Sequence, residues 1–225
     1  MNKTIVGVRP SGKMHLGHYA SVIKPAIDNN AEVLIAKYHA YTKDVDEQVT
    51  YTIEMLQNFG YTNYRVQEID IDLYFKLLSV SPAHLLNAMP QYKAKEKTAH
   101  MFLYPVLMAH DLAGYNEVIV GIDQKPHIEF ANDILPRVGK NKIKARYDGG
   151  KIMSLKDPTK KMSSSDPSSC LYLYDADAEK KIRKAVTTPE GRENLENIYK
   201  LLGGHNPPES NSDLKAVIYE RYKML

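Results

Sequence analysis

The sequence has few of the features that mark secreted, membrane-spanning or disulfide-stabilised proteins. Its 225 residues include one cysteine, Cys170, which excludes an intrachain disulfide and a zinc site built from several cysteines. We expect Cys170 to be buried or half-buried as a small apolar residue. No apolar run approaches the ~20 residues that a membrane helix needs, and the N-terminal MNKTIVGVRPSG lacks the apolar stretch of a signal peptide. We therefore expect a cytoplasmic protein that has no membrane partner.

The sequence also has little net charge. Its formal charge is +3, which does not indicate a field strong enough to collect nucleic acid over the whole surface. Basic residues do cluster, for example in KNKIKAR at 140–146, but such a cluster alone is more typical of a solvated face than of a binding patch. The hydrophobic content of 43% is sufficient for a folded core.

Short apolar runs with β-branched residues alternate with helical patterns along the chain. The runs predict buried strands at 4–8, 32–40, 64–70, 117–123 and 151–155. The helical patterns predict helices at 17–30, 44–59, 124–138, 176–186, 191–202 and 212–224. Residues 70–114 also read as helical, with breaks at Pro82, Pro90 and Pro105.

Alternation of strands and helices predicts the fold class. It indicates an α/β protein with a Rossmann-like parallel sheet and right-handed crossovers. We expect a catalytic domain at 1–172 with a helical insertion at about 70–114, followed by a small C-terminal helical domain at 173–225.

Residues with phosphate-binding chemistry follow the predicted strands, where an open parallel sheet binds its ligands. After the first strand, PSGKMHLGH places His15 and His18 at the start of a helix, whose N-terminus favours phosphate. After the fourth, GIDQ offers Asp123 as an acceptor for a ribose hydroxyl. After the last, KMSSS provides Lys161 and three hydroxyls for a polyphosphate.

Each of these pieces has a plainer interpretation. HxxH is also a metal-ligand spacing, although the sequence offers no third ligand beside it. The glycines at 7–17 do not form a Walker motif, and KMSSS could be a surface linker. Taken together and in this order, the pieces predict a nucleotide triphosphate site without a Walker loop.

At this point the sequence resembles the class I aminoacyl-tRNA synthetases. HLGH at 15–18 is similar to their HIGH signature, and KMSSS at 161–165 is similar to their KMSKS signature. The tryptophanyl/tyrosyl branch is indicated by further similar segments: MPQYKAKE at 89–96, YPVLMAHDL at 104–112, VGIDQKPHIE at 120–129 and IMSLKDPTKKMSSSDP at 152–167.

The resemblance implies ATP-dependent activation of an amino acid and its transfer to tRNA, with ATP and Mg²⁺ as cofactors and no metal site of the protein's own. The catalytic residues that it implies are His15, His18, Lys161, Ser163, Ser164 and Ser165. The ATP-binding residues would be Arg9, Pro10, Ser11, Gly17, His18, Lys93, Gly121, Ile122, Asp123, Ile152, Lys161 and Met162. The amino acid would be bound by Ile5, Gly7, His39, Tyr104, Met108, Asp111, Val120 and Gln124.

Some implied roles are specific. Asp123 would hold the ribose, Ile152 would pack on adenine, and KMSSS would close on the triphosphate. Tyr104 and Gln124 would hold the amino group. Asp111 would accept the hydrogen bond of an indole N–H or a phenol. His39 either lines the same pocket or is an ordinary core histidine.

The chain departs from the tryptophanyl pattern at several positions. Tryptophanyl enzymes often have Thr and Asn in place of His15 and His18, and a second lysine in place of Ser164, so Lys93 is expected to share the neutralisation of the triphosphate. PSGKMHLGHY is closer to tyrosyl enzymes. Ile5 favours tryptophan, because the tyrosyl enzymes of archaeal type have a tyrosine there that bonds the substrate hydroxyl.

We therefore expect L-tryptophan and tRNA(Trp) as partners, and a homodimer formed through helices at about 82–110. Three alternatives stay open: a tyrosyl enzyme, a paralogue that does not charge tRNA, and a small-molecule nucleotidyltransferase. The C-terminal part is short compared with relatives, so reduced contacts with the anticodon are also expected.

Overall fold

The computed structural model describes residues 3–40, 44–94, 97–147 and 150–225. The end of the segment at 89–96, residues 95 and 96, lies outside the described residues. The chain divides into two compact units assembled from separate stretches. Unit 1 comprises Met1–Ser11, Pro25–Thr50 and Tyr61–Gly149, and unit 2 comprises Gly12–Lys24, Tyr51–Gly60 and Gly150–Leu225. The domain boundary expected at 172/173 stays a prediction.

Unit 1 is built around a five-stranded parallel sheet. Its strands are β1 Thr4–Val8, β2 Glu32–Ile35, β3 Tyr64–Val66, β4 Glu117–Ile119 and β5 Lys144–Arg146, in the order β3-β2-β1-β4-β5. In the register, Val6 lies opposite Val33 of β2 and Ile119 of β4. The Rossmann-like α/β class is confirmed. The strand order reverses on either side of β1, and such a switch point creates a crevice at the carboxyl ends of the strands.

Helices occupy most of the remaining chain. Those between the strands are α1 Leu16–His18, α2 Lys24–Asn29, α3 Val45–Asn58, α4 Ile71–Ser79, α5 Ala83–Ala88, α6 Pro90–Ala94, α7 Ala99–Leu112 and α8 Lys125–Ile134. The three that follow the sheet are α9 Ala178–Arg183, α10 Pro189–Leu201 and α11 Asn211–Tyr222. A π-helical turn, Tyr19–Ile23, joins α1 to α2, and 3₁₀ turns occupy Lys37–Ala40, Ile122–Gln124 and Leu135–Val138.

The prolines act as predicted in two of three places. Pro82 precedes α5 and Pro90 begins α6. The break expected at Pro105 is wrong, since α7 continues through this residue, which is buried inside the helix. A proline removes one backbone donor, and the buried apolar face of α7 offsets that loss.

The predicted strand at 151–155 is also wrong. Its Met153 forms only an isolated antiparallel bridge with Lys161. The last strand is instead β5, which lies within the basic cluster at 140–146, a pattern more typical of a solvated face. Lys144 and Arg146 reach Glu117 of β4, with N–O distances of 3.3 and 3.5 Å, so the basic side chains fit this edge of the sheet.

Apolar cores stabilise both units. In unit 1, Ile5 and Val118 of the sheet pack with Val106 of α7 and Ile128 of α8. In unit 2, α11 packs against α9 and α10. The buried residues of unit 2 include Leu171, Ile182, Leu195, Ile198, Leu214 and Ile218, and Cys170 is fully buried. Within the described ranges, each helix is too short or too polar to cross a bilayer.

Candidate active site

The start of α1 in unit 2 holds the first predicted motif. The side chain of His15 caps this helix, because its Nδ1 accepts a hydrogen bond from the Gly17 N–H at 3.0 Å. The backbone N–H of His15 donates in return to Nδ1 of His18 at 3.2 Å. A Cβ at Gly17 would lie 2.7 Å from the ring of His15, so a glycine here permits the ring to lie over the helix terminus.

These hydrogen bonds show which nitrogen of each imidazole is the acceptor. An Nδ1 that accepts from a backbone N–H carries no proton, so the proton of the neutral ring is on Nε2. Burial, and then the positive charge of Lys161, lower the pKa of His15 from 6.5 to about 4. His15 is therefore neutral at pH 7 and is a hydrogen-bond donor through Nε2. The two ring centroids are 4.1 Å apart, and the ring planes are tilted by 48° to each other.

Lys161 belongs to a hairpin-like loop of unit 2. The Met162 N–H donates to Ile152 O, and the Ser154 N–H donates to Lys160 O, both at 2.9 Å. Asn194 of α10 fixes the other side of this loop: its Oδ1 accepts from the Met153 N–H at 2.9 Å, and its Nδ2 donates to Met153 O at 3.0 Å. Tyr172 connects the two predicted motifs, because it forms an antiparallel bridge with His15 and its hydroxyl contacts Ser164 O.

The three serines after Met162 form a turn rather than a strand. The hydroxyls of Ser163 and Ser165 are 2.9 Å apart, and the Ser165 N–H donates to Ser163 Oγ at 3.3 Å. The Tyr172 hydroxyl donates to Ser164 O at 3.2 Å. Ser163 and Ser165 are exposed, so their hydroxyl groups are accessible to a ligand.

In unit 1, predicted ATP-binding residues follow β1 and β4. Arg9 and Ser11 are exposed after β1, whereas Pro10 is buried. After β4, a Cβ at Gly121 would lie 2.4 Å from an Asp123 carboxylate oxygen, so a side chain at this position would displace the acid. Gln124 Nε2 donates to the same carboxylate at 2.7 Å. Asp123 and Gln124 are therefore paired with each other.

The apolar residues predicted for the amino-acid site are also brought together. Ile5 is 1% exposed, and Met108 and Val120 are partly buried against the same apolar cluster. Gly7 is exposed, and a Cβ there would meet no atom within 4 Å. This side of β1 therefore has room for a ligand.

Asp111, at the end of α7, is the centre of a buried polar network. Its Oδ2 accepts from His39 Nε2 at 2.8 Å and from Gln67 Nε2 at 2.7 Å, and its Oδ1 lies 3.5 Å from His110 Nδ1. Burial alone would raise the pKa of Asp111. The hydrogen bonds that it accepts outweigh this effect and hold the pKa below the usual value, so the residue is an ionised carboxylate at pH 7.

Tyr104 lies on the same face of α7, seven residues before Asp111. Its ring makes edge contacts with His39 and His127, at centroid distances of 4.4 and 5.3 Å. Burial raises the pKa of Tyr104, so the phenol is neutral and can donate. Burial and then His39 lower the pKa of His127 to about 4.

The predicted residues thus form two groups, one in each unit. Gly17, Ile152 and Met162 belong to unit 2 with the two motifs, whereas Lys93, Ile122 and the strand-end residues belong to unit 1. Ile152 and Met162 are buried, and Ile122 and Lys93 are exposed.

Sequence reasoning missed several polar residues of these groups. Gln67, His110, His127 and Asn194 are buried and had been given no role. Gln67 carried a signal, since it directly follows β3 at the carboxyl edge of the sheet, and Asp123 comes four residues after the end of β4 at the same edge.

Solved structures resemble this fold over nearly its whole length. The chain superposes on the tryptophanyl-tRNA synthetase of Mycoplasma pneumoniae with a TM-score of 0.84 and 25% identity, covering 99% of this chain and 84% of that one. For the tyrosyl-tRNA synthetase of Archaeoglobus fulgidus complexed with L-tyrosine, the TM-score is 0.77 at 20% identity, covering 99% and 86%. The second likeness concerns the fold alone.

Sequence comparison identifies the family. The family model described as tRNA synthetases class I (W and Y) matches residues 1–222, and the chain belongs to this family. The tryptophan–tRNA ligases of Bacillus subtilis strain 168 and of Nostoc sp. PCC 7120 are each 30% identical to it, over 99% of this chain and 82% of the relative. The resemblance drawn from the motifs is confirmed at the level of the family.

Proposed function

We propose that the protein is a tryptophan–tRNA ligase, which activates L-tryptophan with ATP and transfers it to tRNA(Trp). The observation that carries the proposal is the link between the two signature motifs within unit 2: His15 pairs with Tyr172 in an isolated antiparallel bridge, and the Tyr172 hydroxyl donates to Ser164 O at 3.2 Å. The curated relatives of the family support the choice of tryptophan. The tryptophanyl-tRNA synthetase of Campylobacter jejuni has been crystallised with ADP and tryptophan, which supports these ligand classes.

The first step is an in-line displacement at phosphorus. A carboxylate oxygen of the amino acid attacks the α-phosphorus of ATP, and the bond from that phosphorus to the bridging oxygen breaks, so that pyrophosphate leaves. Positioning and charge stabilisation supply most of the acceleration in phosphoryl chemistry. His15, neutral and protonated on Nε2, would donate to a phosphate oxygen, while Lys161 and the exposed hydroxyls of Ser163 and Ser165 would stabilise the leaving group.

Mg²⁺ bound to the triphosphate would neutralise part of its charge. In the second step, a hydroxyl of the terminal ribose of tRNA attacks the carbonyl carbon of the adenylate, and AMP departs with the electron pair. Asp123 would hold the ribose of ATP. We place the reaction in the cytoplasm and the C-terminal helices, residues 173–225, on the anticodon side of the tRNA.

Discrimination between tryptophan and tyrosine would depend on the pocket of unit 1. Ile5 offers an alkyl group and no hydrogen bond to a phenol, and with Met108 and Val120 it forms an apolar wall. A site that selects its substrate by a hydroxyl group needs a polar partner for that hydroxyl. The apolar wall and the buried polar network around Asp111 therefore suit the indole of tryptophan better than the phenol of tyrosine.

Amino-acid-dependent exchange of pyrophosphate into ATP tests the proposal. With tryptophan and tyrosine assayed in parallel, we expect exchange with tryptophan at least tenfold faster at equal, subsaturating concentration. Exchange with tyrosine alone would show that Ile5 does not set the specificity. Absence of exchange with both, together with retained binding of tRNA, would indicate a regulatory paralogue.

A homodimer is the second part of the proposal. In addition to the helices expected at the interface, at about 82–110, α4 presents Ile71 and Phe75 one turn apart. They are 60% and 63% exposed, and a pair of large apolar side chains on one helix face is suited to an interface. Light scattering should give the mass of two chains, and Phe75→Asp should give the mass of one. Ile27→Asp, a matched change at an exposed apolar residue of α2, should leave the dimer intact. A wild-type mass of one chain would contradict the dimer.

A further inference from the structure

Three aromatic side chains form a row at the surface of unit 2. The ring centroids of Tyr174 and Phe59 are 6.3 Å apart, and those of Phe59 and Tyr19 are 5.4 Å apart, with the ring planes tilted by 34° and 37°. Phe59 and Tyr19 are half-buried, whereas Tyr174 is 55% exposed. These three residues, here called the aromatic row, therefore present one largely open ring beside two partly open ones.

The backbone of Tyr174 has a conformation that favours glycine. Its φ is +59°, in the left-handed region, where a bulky side chain is an outlier. Tyr222 fixes this turn, because its buried hydroxyl accepts from the Asp175 N–H at 2.6 Å and donates to Tyr172 O at 2.5 Å. The fold thus holds a strained tyrosine whose ring it leaves mostly in solvent. Strain of this kind persists at functional sites, so the exposed ring points to a role in binding.

A basic side chain lies at the Tyr174 end of the aromatic row. Lys13 is exposed and directly precedes Met14, whose carbonyl oxygen accepts at 2.9 Å from the N–H of the residue before Tyr174. Asp175, the nearest acid in the chain, is paired with Lys181 at 2.5 Å. The charge that remains at this end of the row is therefore positive.

A cleft of about 270 Å³ lies beside Tyr19, at the other end of the aromatic row. Its lining includes Lys24 and Arg221 together with the apolar residues Leu201 and Leu202. Arg221 is held in place, because its Nη1 donates to Leu202 O at 3.2 Å. Two cations beside leucine side chains suit a ligand that carries both a phosphate and a flat, weakly polar ring.

Exposed aromatic rings beside cations are the means by which proteins bind unpaired nucleotides, with bases on the ring faces and phosphates at the cations. We propose that the aromatic row stacks the unpaired nucleotides at the 3′ end of tRNA, with their phosphates beside Lys13, Lys24 and Arg221. This inference rests on the proposed function, because it takes tRNA as the second substrate. Tyr19 directly follows His18, so the row adjoins the proposed catalytic residues.

A shortened RNA separates this contact from all others that tRNA makes. Dissociation constants are measured by fluorescence anisotropy for a tRNA(Trp) transcript and for the same transcript without its unpaired 3′ nucleotides. The proteins are the wild type, Tyr174→Gly and Tyr174→Phe. Tyr174→Gly removes the ring and relieves the strained φ, so the free energy of unfolding should stay close to that of the wild type. Tryptophan-dependent pyrophosphate exchange, which needs no tRNA, is measured for each protein.

We expect the wild type and Tyr174→Phe to bind the full transcript about tenfold more tightly than the shortened one. Tyr174→Gly should bind the two about equally, with the exchange rate unchanged. A wild-type preference in Tyr174→Gly would overturn the inference, and so would a parallel loss of exchange. A change from the mass of two chains to that of one in Tyr174→Gly would also overturn it, because the ring would then belong to a contact between subunits.

Lys13→Ala gives a second test that leaves the aromatic row intact. The slope of log Kd against log salt concentration for the full transcript should become smaller by about 0.7, the contribution of one phosphate of a single strand. Lys142→Ala removes an exposed lysine of unit 1 and should keep the wild-type slope. Equal slopes in these two variants would overturn the contact.

The same measurements distinguish this inference from the proposed function. A wild type that prefers the full transcript but shows no tryptophan-dependent exchange would support the aromatic row and contradict the proposed function. A wild type with tryptophan-dependent exchange and equal affinity for the two transcripts would support the activation step and overturn the inference.

Discussion

At the scale of single residues, the proposed chemistry depends on two histidines and one lysine. His15 caps a helix through Nδ1, which places the proton of its neutral ring on Nε2, and Nδ1 of His18 accepts from the His15 N–H. If Nε2 accepted the backbone hydrogen bond instead, Nδ1 of the neutral ring would carry the proton. The sequence predicts which residues take part, but the tautomers follow only from the backbone geometry at the start of α1.

Lys161 and Lys160 are adjacent in sequence and differ in their surroundings. Lys160 forms an exposed ion pair with Asp157, at 2.9 Å, whereas the charge of Lys161 adds to burial in lowering the pKa of His15. We expect Lys161→Ala to reduce the rate of pyrophosphate exchange by roughly 10²–10³ while the affinity for the amino acid changes little, because the lost charge acts on the leaving group. Rapid kinetics of adenylate formation, with calorimetry of amino-acid binding, would measure both quantities.

Lys160→Ala is the control for this prediction. An exposed ion pair contributes little, so its exchange rate should stay within about twofold of the wild type. An equal loss of rate in the two variants, or a loss of amino-acid affinity in Lys161→Ala, would argue against a role for Lys161 on the pyrophosphate.

At the scale of elements, α10 connects the C-terminal helices to the Lys161 loop. Asn194 is 4% exposed and forms both of its hydrogen bonds with the backbone of Met153. The loop pairs Met153 with Lys161, so a helix remote in sequence determines the position of the lysine.

Asn194→Leu should therefore affect both stability and activity. The substitution keeps the branched shape and the number of heavy atoms but leaves a backbone N–H and C=O without partners, which should lower the free energy of unfolding by about 2–3 kcal/mol. Exchange activity should also fall under conditions where the variant is fully folded. Asn197→Leu, on the exposed face of the same helix, should change neither quantity. Urea denaturation would measure the free energy of unfolding, and the exchange assay would measure the activity. Equal values of both quantities in the two variants would contradict the role of Asn194.

The elements also differ in how well the sequence alone predicts them. β1 and the two motifs were predicted from sequence because apolar β-branched runs and unusual residues at strand ends are local signals. β5 was missed because its basic residues are paired with Glu117 on the neighbouring strand, a contact that no local pattern contains. The Gln67–Asp111–His39 network was missed for the same reason, since its members come from three separate segments.

At the scale of the whole molecule, each unit contains one buried histidine that resists protonation. Burial is the first cause in both cases, and it lowers the pKa of His15 in unit 2 and of His127 in unit 1 to about 4. In the unfolded chain both would titrate near 6.5. Between these values the unfolded state binds protons that the folded state does not, so stability is complete above about pH 6.5 and is lost as the pH falls toward 4.

This linkage predicts the acid sensitivity of the protein. From pH 7 to pH 5, each of the two histidines should lower the free energy of unfolding by roughly 2 kcal/mol, measured by urea denaturation at each pH. Replacing His127 by Gln removes one titrating group, so the loss over this interval should shrink by about that amount, whatever the stability of the variant at pH 7. Replacement of an exposed histidine, His205→Gln, should leave the pH dependence unchanged. If His127→Gln showed the wild-type slope, the burial of a neutral imidazole in unit 1 could not be a source of the acid sensitivity.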